Sequence, residues 1–362
     1  MFVTNELAFV GFSFCQPYVM MIDNTNQRYI GCLIFNCMEP GRQKPTEEDD
    51  LAPGTLLART EAQVAYALHS GALEPQPVEA ELFEQEGFSF VLWRKMPQRR
   101  KEKHRQPPAI AGAFFNPFLP YDPDLFVANL SETHLCLLNK YNVYHNHLLI
   151  VTRAFAEQTT WLTVADLAAL WRCLQEIDGL GFFNGGKDAG ASQRHKHLQL
   201  VPFPLSPDGT AVPLETAMET AVFTNQIGRV PSFPFAHALV QLKMGRETAV
   251  SLFHHYQQLL AAVGLHDSTV ERGGAHAGPY NLLLTRRWML LVPRVRAKHY
   301  GVSVNSLGFA GSMLARDDEQ LALIHQLGPM NILRGVGMPV EMGNGRLEIG
   351  DWLNLRSPIS AL

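Results

Sequence analysis

The chain has 362 residues, of which 46 % are hydrophobic and 18 % charged, and a formal net charge of −4. At about 100–200 residues per domain this predicts two globular domains, and excludes a disordered, collagen-like or coiled-coil chain. The slight acidity gives no overall attraction to nucleic acid or anionic lipid, so a polyanionic ligand would need a local site.

No run reaches the roughly 20 apolar residues of a bilayer span. The apolar start MFVTNELAFVGFSFCQPYVMMID has no basic lead and is broken by Asn5, Glu6, Gln16 and Pro17, which is not a signal-peptide pattern. The five cysteines contain no CxxC pair, so reduced thiols in a cytoplasmic protein are expected.

Residues 38–55 are rich in Pro, Gly and charge and read as a loop that sets the first segment apart. A helix is predicted over 56–70, ending at Gly71. A hairpin follows, AELFE and FSFVLW around Glu86-Gly87, and then the basic run PQRRKEKHRQPP at 97–108, read mostly as a solvated loop. THLCLLN and NHLLIVT read as two strands joined by Lys140–Val143. Thr163 and Asp166 form a T-x-x-D capping box ahead of a helix with Leu167, Leu170, Trp171, Leu174 and Ile177 on one face. Prolines 202, 204, 207 and 213 mark a linker, and the domain boundary is placed there. Helices are predicted over 214–227, 247–264 and 317–326, with a hairpin of YNLLLT and WMLLVP turning at Arg286-Arg287. Strand adjoins strand without regular βαβ alternation, so the expected class is α+β with an antiparallel sheet.

The segment Asn184–Gln199 concentrates the chemistry. As a strand, HKHLQL places His195, His197 and Gln199 on one face and Lys196 on the other. The preceding NGGKDAGAS brings three glycines and small residues, which let backbone N–H groups approach an anion, without being a P-loop. Two half-buried structural histidines are one explanation. A metal site is another, with His145 and His147 as a second pair, although Gln199 is a poor ligand and no carboxylate stands at a fixed spacing. Covalent catalysis is the third: neutral imidazole is a good nucleophile toward phosphorus, and its phosphoramidate passes the group on. Gln199 favours group transfer over hydrolysis, because an amide binds phosphate but cannot act as an acid or base to activate water.

The run NGGKDAGASQRHKHLQLVP resembles the signature of ATP adenylyltransferases, also called diadenosine tetraphosphate phosphorylases, in the HxHxQ branch of the histidine-triad superfamily. The resemblance extends through 115–143, 146–155, 280–294 and 303–316, and covers roughly residues 52 to 335. It implies a histidine-triad-like catalytic domain at 51–205, a smaller C-terminal α/β part of the adenylyltransferase type at 206–335, an N-terminal extension over 1–50 and a tail over 336–362.

The implied reaction is phosphorolysis of diadenosine tetraphosphate to ATP and ADP, reversible, through AMP carried on a histidine. By the motif match, His197 is the nucleophile, Gln199 binds phosphate, and His195 supports by hydrogen bonding. Asn139, Lys140, Asn184, Gly190, Ala191, Ser192, Gln193 and Asn281 match nucleotide- or phosphate-binding positions. Lys101 matches a basic residue after the first hairpin, with Lys95 or Arg100 as alternatives, and His147 matches a histidine that props the active-site strand. The implied partners are small nucleotides and phosphate, with neither nucleic acid nor membrane. No cofactor is required by the sequence, and a divalent cation would travel with the substrate phosphates. Competing readings are a nucleotide-binding sensor without turnover, a hydrolytic or uridylyl-transferring histidine-triad enzyme, and a metal-dependent hydrolase.

Overall fold

A computed structural model of the chain describes residues 19–23, 28–32, 51–97, 115–276, 278–343 and 346–348. Lys101, Arg100 and most of the basic run lie outside the described residues.

Ten strands form one antiparallel sheet. In chain order they are β5 (Phe126–Asn129), β6 (His134–Leu138), β7 (Leu148–Thr152), β8 (Gly179–Gly185), β9 (His197–Pro202), β10 (Val222–Thr224), β11 (Ile227–Arg229), β12 (Ala238–Gln241), β13 (Tyr280–Leu284) and β14 (Trp288–Pro293). Their order across the sheet is β10-β11-β12-β14-β13-β8-β9-β7-β6-β5. A second sheet has the order β1-β2-β3-β4-β17, from β1 (Val19–Asp23), β2 (Arg28–Cys32), β3 (Val78–Gln85), β4 (Phe88–Lys95) and β17 (Ser312–Ala315). The short pair β15 (Lys298–His299) and β16 (Val302–Ser303) lies between β14 and β17 in the chain.

The strand period decides what each face of the large sheet carries. Leu148, Ile150, Phe183, Leu198, Leu200, Tyr280 and Leu282 point to a core shared with helices α1 (Leu56–Ser70), α2 (Val164–Glu176) and α4 (Ala249–Ala262). Phe182, Val201, Leu283 and Leu290 point the other way. They meet Phe90 and Leu92 of β4, Met313 of β17, and helices α5 (Asp318–Leu327) and α6 (Pro329–Val336). The expected antiparallel α+β class is what forms.

The half of the chain beyond residue 205 is woven into both sheets. β13 pairs with β8 from Tyr280↔Gly185 to Leu284↔Gly181, and β17 runs parallel to β4 from Ser312↔Val91 to Ala315↔Arg94. The expected boundary therefore falls on a linker that the large sheet spans.

Most predicted elements form as read, including α1 with its left-handed Gly71 cap and the capping box of α2. One prediction fails: only α3 (Glu215–Met218) is helical within 214–227. The rest turns into the β10–β11 hairpin, with Asn225 and Gln226 at φ 48° and 72°. The β-branched and aromatic run Val222-Phe223-Thr224 favours a strand, and Phe223 folds its ring over Gly228, where a Cβ would lie 2.7 Å away. Helix α6 was not foreseen. It begins with Pro329 in the first turn, where the missing N–H has no helical partner to lose.

A buried charge cluster ties β9 to α2 behind the HxH face. Asp166 Oδ2 accepts from Thr163 N at 2.7 Å and from Lys196 Nζ at 2.8 Å, while Oδ1 accepts from His134 Nε2 at 3.0 Å. Lys196 Nζ also donates to the Trp161 carbonyl at 2.7 Å. Burial alone would raise the Asp166 carboxyl, but the His134 hydrogen bond and the Lys196 charge outweigh it and hold it well below the usual carboxylate range. Removing one partner leaves a buried charge uncompensated. Asp166→Ala is expected to cost about 3–5 kcal/mol in urea unfolding. Asp166→Leu with Lys196→Met should recover most of that loss.

Candidate active site

β8 and β9 pair only from Gly179↔Pro202 to Phe182↔Gln199 and then part. Beyond that point β8 continues against β13, while His197 of β9 pairs with Val151 of β7. The buried side chain of Gln158 fills the gap. Its Nε2 donates to the Asn184 carbonyl at 2.9 Å and the His197 carbonyl at 3.1 Å, and its Oε1 accepts from His197 N at 2.8 Å. Gly186 to Arg194 cross the gap as a loop.

His197 and Gln199 share the face of β9 opposite Lys196, as the period predicts. β9 begins at His197, however, and His195 joins through an isolated bridge to Glu157. His197 is 3 % exposed, and its Nδ1 donates to the His195 carbonyl at 2.8 Å. That bond fixes the tautomer, so Nε2 carries the lone pair, and Nε2 makes no hydrogen bond to the protein among the described residues. Burial lowers the ring's pKa to about 4, against a smaller opposing effect of the His195 carbonyl, so the imidazole is neutral near pH 7.

His195 has both nitrogens occupied. Nε2 donates to the Thr152 carbonyl at 2.8 Å, and Nδ1 accepts from Asn116 Nδ2 at 3.0 Å. Phe118 packs on both rings, with centroids 5.6 Å from His195 and 5.4 Å from His197. His195 is thus a support, and its carbonyl is what orients His197.

A relay from the neighbouring strands orients Gln199. Asn139 Nδ2 donates to His147 Nδ1 at 3.3 Å, and His147 Nε2 donates to Gln199 Oε1 at 2.9 Å. With its oxygen engaged, Gln199 presents its NH2 group as the free end. Burial lowers His147 to about 4 as well, which keeps the neutral donor–acceptor form that the relay requires.

The loop turns on itself through Ala189 N to Gly186 O, Gly190 N to Lys187 O, and Ala191 N to Gly186 O. Gly190 stands at φ 92°, and a Cβ there would lie 2.7 Å from the Val304 carbonyl, so only glycine fits. The backbone amides of Ser192 and Gln193 find no protein acceptor among the described residues. Asn184 and Asn281 lie beneath the loop, almost fully buried and bonded to each other at 2.9 Å. Lys140, next to Asn139, has its Nζ 3.3 Å from Glu74 Oε1. His145 is half-buried and plays no part in the relay. Among the described residues no group of three or more His, Cys, Asp or Glu side chains is arranged to hold a metal ion.

A family model for the Ap4A phosphorylase N-terminal domain matches residues 46–220, and one for the ATP adenylyltransferase C-terminal domain matches 231–339. The chain belongs to the Ap4A phosphorylase family. It is 28 % identical over 232 residues to diadenosine 5′,5‴-P1,P4-tetraphosphate phosphorylase 2 of Saccharomyces cerevisiae, covering 57 % of this chain and 70 % of that one. It is 27 % identical over 231 residues to Protein APA1 of the same yeast, covering 59 % and 71 %. In fold it is similar to the crystal structure of yeast Ap4A phosphorylase Apa2 in complex with Ap4A, with a TM-score of 0.65 at 23 % identity, covering 78 % of this chain and 97 % of that one.

Sequence reasoning assigned no role to Gln158, Asn116, Phe118, Thr152, Ser306 or Arg294. Asn116, Phe118, Ser306 and Arg294 lie in segments that carry the family resemblance, where they carried no assigned role. Gln158 is one polar residue in AEQTTW, and nothing local distinguishes it.

His147 and His197 are buried neutral, with folded pKa values below the unfolded 6.5. Between about 6.5 and 4 the unfolded chain binds more protons than the folded one, so their contribution to stability is full above 6.5 and is lost as pH falls toward 4. The melting temperature is expected to decline steadily from pH 7 to pH 4.5. A His147→Gln variant should flatten that decline.

Proposed function

We propose that this chain is a nucleotidyltransferase that phosphorolyses diadenosine tetraphosphate to ATP and ADP through AMP bound covalently to His197. The observation that carries this reading is the His197 ring, held through Nδ1 by the His195 carbonyl, which leaves an unprotonated Nε2 with no protein partner among the described residues. Family membership and the two yeast relatives, one of them named as a tetraphosphate phosphorylase, support the substrate.

In the first half-reaction, Nε2 attacks the α-phosphorus of one adenosine. An N–P bond forms, the bridging P–O bond breaks, and ATP leaves with the electron pair on its terminal phosphate oxygen. In the second, an oxygen of inorganic phosphate attacks the same phosphorus, the N–P bond breaks, and ADP leaves with His197 neutral again. Both steps need in-line placement and charge stabilisation rather than a strong general base. Gln199 meets that need as a neutral donor to a phosphate oxygen. The unpartnered Ser192 and Gln193 amides offer further donors to the polyphosphate. The partners are therefore nucleotides and phosphate.

Incubation with diadenosine tetraphosphate should yield ATP and ADP in equal amounts, resolved by anion exchange, only when phosphate is present. Phosphate-independent cleavage would point to hydrolysis, and binding without cleavage to a nucleotide sensor. His197→Ala should lower turnover by more than about a thousandfold and abolish the acid-labile AMP adduct trapped on wild-type protein.

A further inference from the structure

Arg294 follows β14 and is 1 % exposed, an unusual state for a cation. Every N–H direction of its guanidinium is used. Nε donates to the Val336 carbonyl at 3.2 Å, and Nη2 to the carbonyls of Arg296 at 2.8 Å and Val304 at 3.0 Å. Nη1 donates to Asn281 Oδ1 and to the Ala189 carbonyl at 3.4 Å. The Phe309 ring lies under the guanidinium, 5.2 Å from centroid to Cζ.

All five acceptors are neutral, and among the described residues no carboxylate oxygen comes within 4 Å of this guanidinium. The exposed Asp188 acts on it only at longer range. Burial lowers the group to about 9, which still leaves it charged near pH 7.

This cation sits directly beneath the glycine loop. Asn281 Nδ2 donates to the same Ala189 carbonyl at 2.8 Å and is shared with Asn184 Oδ1 at 2.9 Å and Ser306 Oγ at 3.0 Å. Asn184 Oδ1 also accepts from Ser306 N at 2.9 Å. The middle of the loop is thereby clamped to β8, β13 and the 304–306 segment at once. A buried charge costs free energy unless it is paired, and among the described residues no carboxylate meets this one directly.

We infer that Arg294 is a positioning residue for phosphate binding: it holds the Ala189 carbonyl so that the Ser192–Gln193 amides face outward, and its unpaired charge is balanced by the phosphates bound above the loop. The inference rests on the reading of this loop as the phosphate site. It makes Asn281 and Asn184 parts of the clamp, which reach the nucleotide through the loop.

The test uses the full chain and its Arg294→Lys and Arg294→Met variants, with adenosine, AMP, ADP and ATP as probes in calorimetric titrations. Hydrogen exchange of the 186–193 peptide is followed alongside. Arg294→Met should weaken ATP binding by about ten- to a hundredfold, with a loss that grows with each added phosphate and vanishes for adenosine. Arg294→Lys keeps the charge but not the fork. It should retain most of the dependence on phosphate number, while the amides of Ala189, Gly190 and Ala191 exchange faster and the strands exchange as before. Equal losses for adenosine and ATP, or unchanged ATP affinity with unchanged loop exchange, would overturn the inference. If Arg294→Met does not fold, the exchange and titration of Arg294→Lys decide alone. Wild-type binding without phosphorolysis would defeat the proposed reaction but not the role of Arg294, whereas no nucleotide binding by wild-type protein would defeat both.

Discussion

β8 and β9 stop pairing after Phe182 and Gln199, and the arrangement of the site follows from that separation. Backbone groups freed by parting strands must find other partners in a buried setting. Gln158 supplies them, taking the His197 amide and the carbonyls of both Asn184 and His197. Gln158 therefore holds the strands apart without leaving these backbone groups unsatisfied. The glycine loop crosses the gap, and His197 stands at its edge with one nitrogen fixed and the other free. Had the strands stayed paired, that edge would be continuous sheet.

Burial sets the chemical state of the groups around His197. His197 and His147 are neutral because charging them inside the protein is costly, and each uses one nitrogen as donor and keeps a lone pair on the other. Opposite, on the helix side, Lys196 is buried with its Nζ 2.8 Å from Asp166 Oδ2. One three-residue stretch thus carries two imidazoles on one face and the Asp166-bound Lys196 on the other. Asp166 caps the helix and binds Lys196 together, so the position of α2 fixes the height of the HxH strand.

The two matched halves of the chain meet at the β8–β13 register, which sets Asn184 opposite Asn281. From there Ser306 and Arg294 extend the contact to the segments that pack on Gly190. The second half accordingly shapes the loop from below, through hydrogen bonds, as well as adding strands to the sheet. β17 makes the reverse connection, entering beside β4 in the sheet built mainly by the first half.

The sequence by itself determined whatever depends on near neighbours. The two-residue period placed His197 and Gln199 together and Lys196 opposite, the capping box started α2, and Gly71 ended α1. Strand adjoining strand without βαβ alternation gave the antiparallel class, and several long motifs in order carried the family resemblance. Tertiary structure decided what depends on residues distant in the chain. The tautomer of His197 comes from the His195 carbonyl, whose path is fixed by Thr152 and Asn116. The direction of Gln199 comes from Asn139 through His147, and the gap between β8 and β9 from Gln158. The buried state of Arg294 comes from carbonyls contributed by four separate segments. Hydrogen bonds between such segments leave no periodic trace in sequence, and Phe223 folding onto Gly228 shows the same limit where a predicted helix gave way to a hairpin.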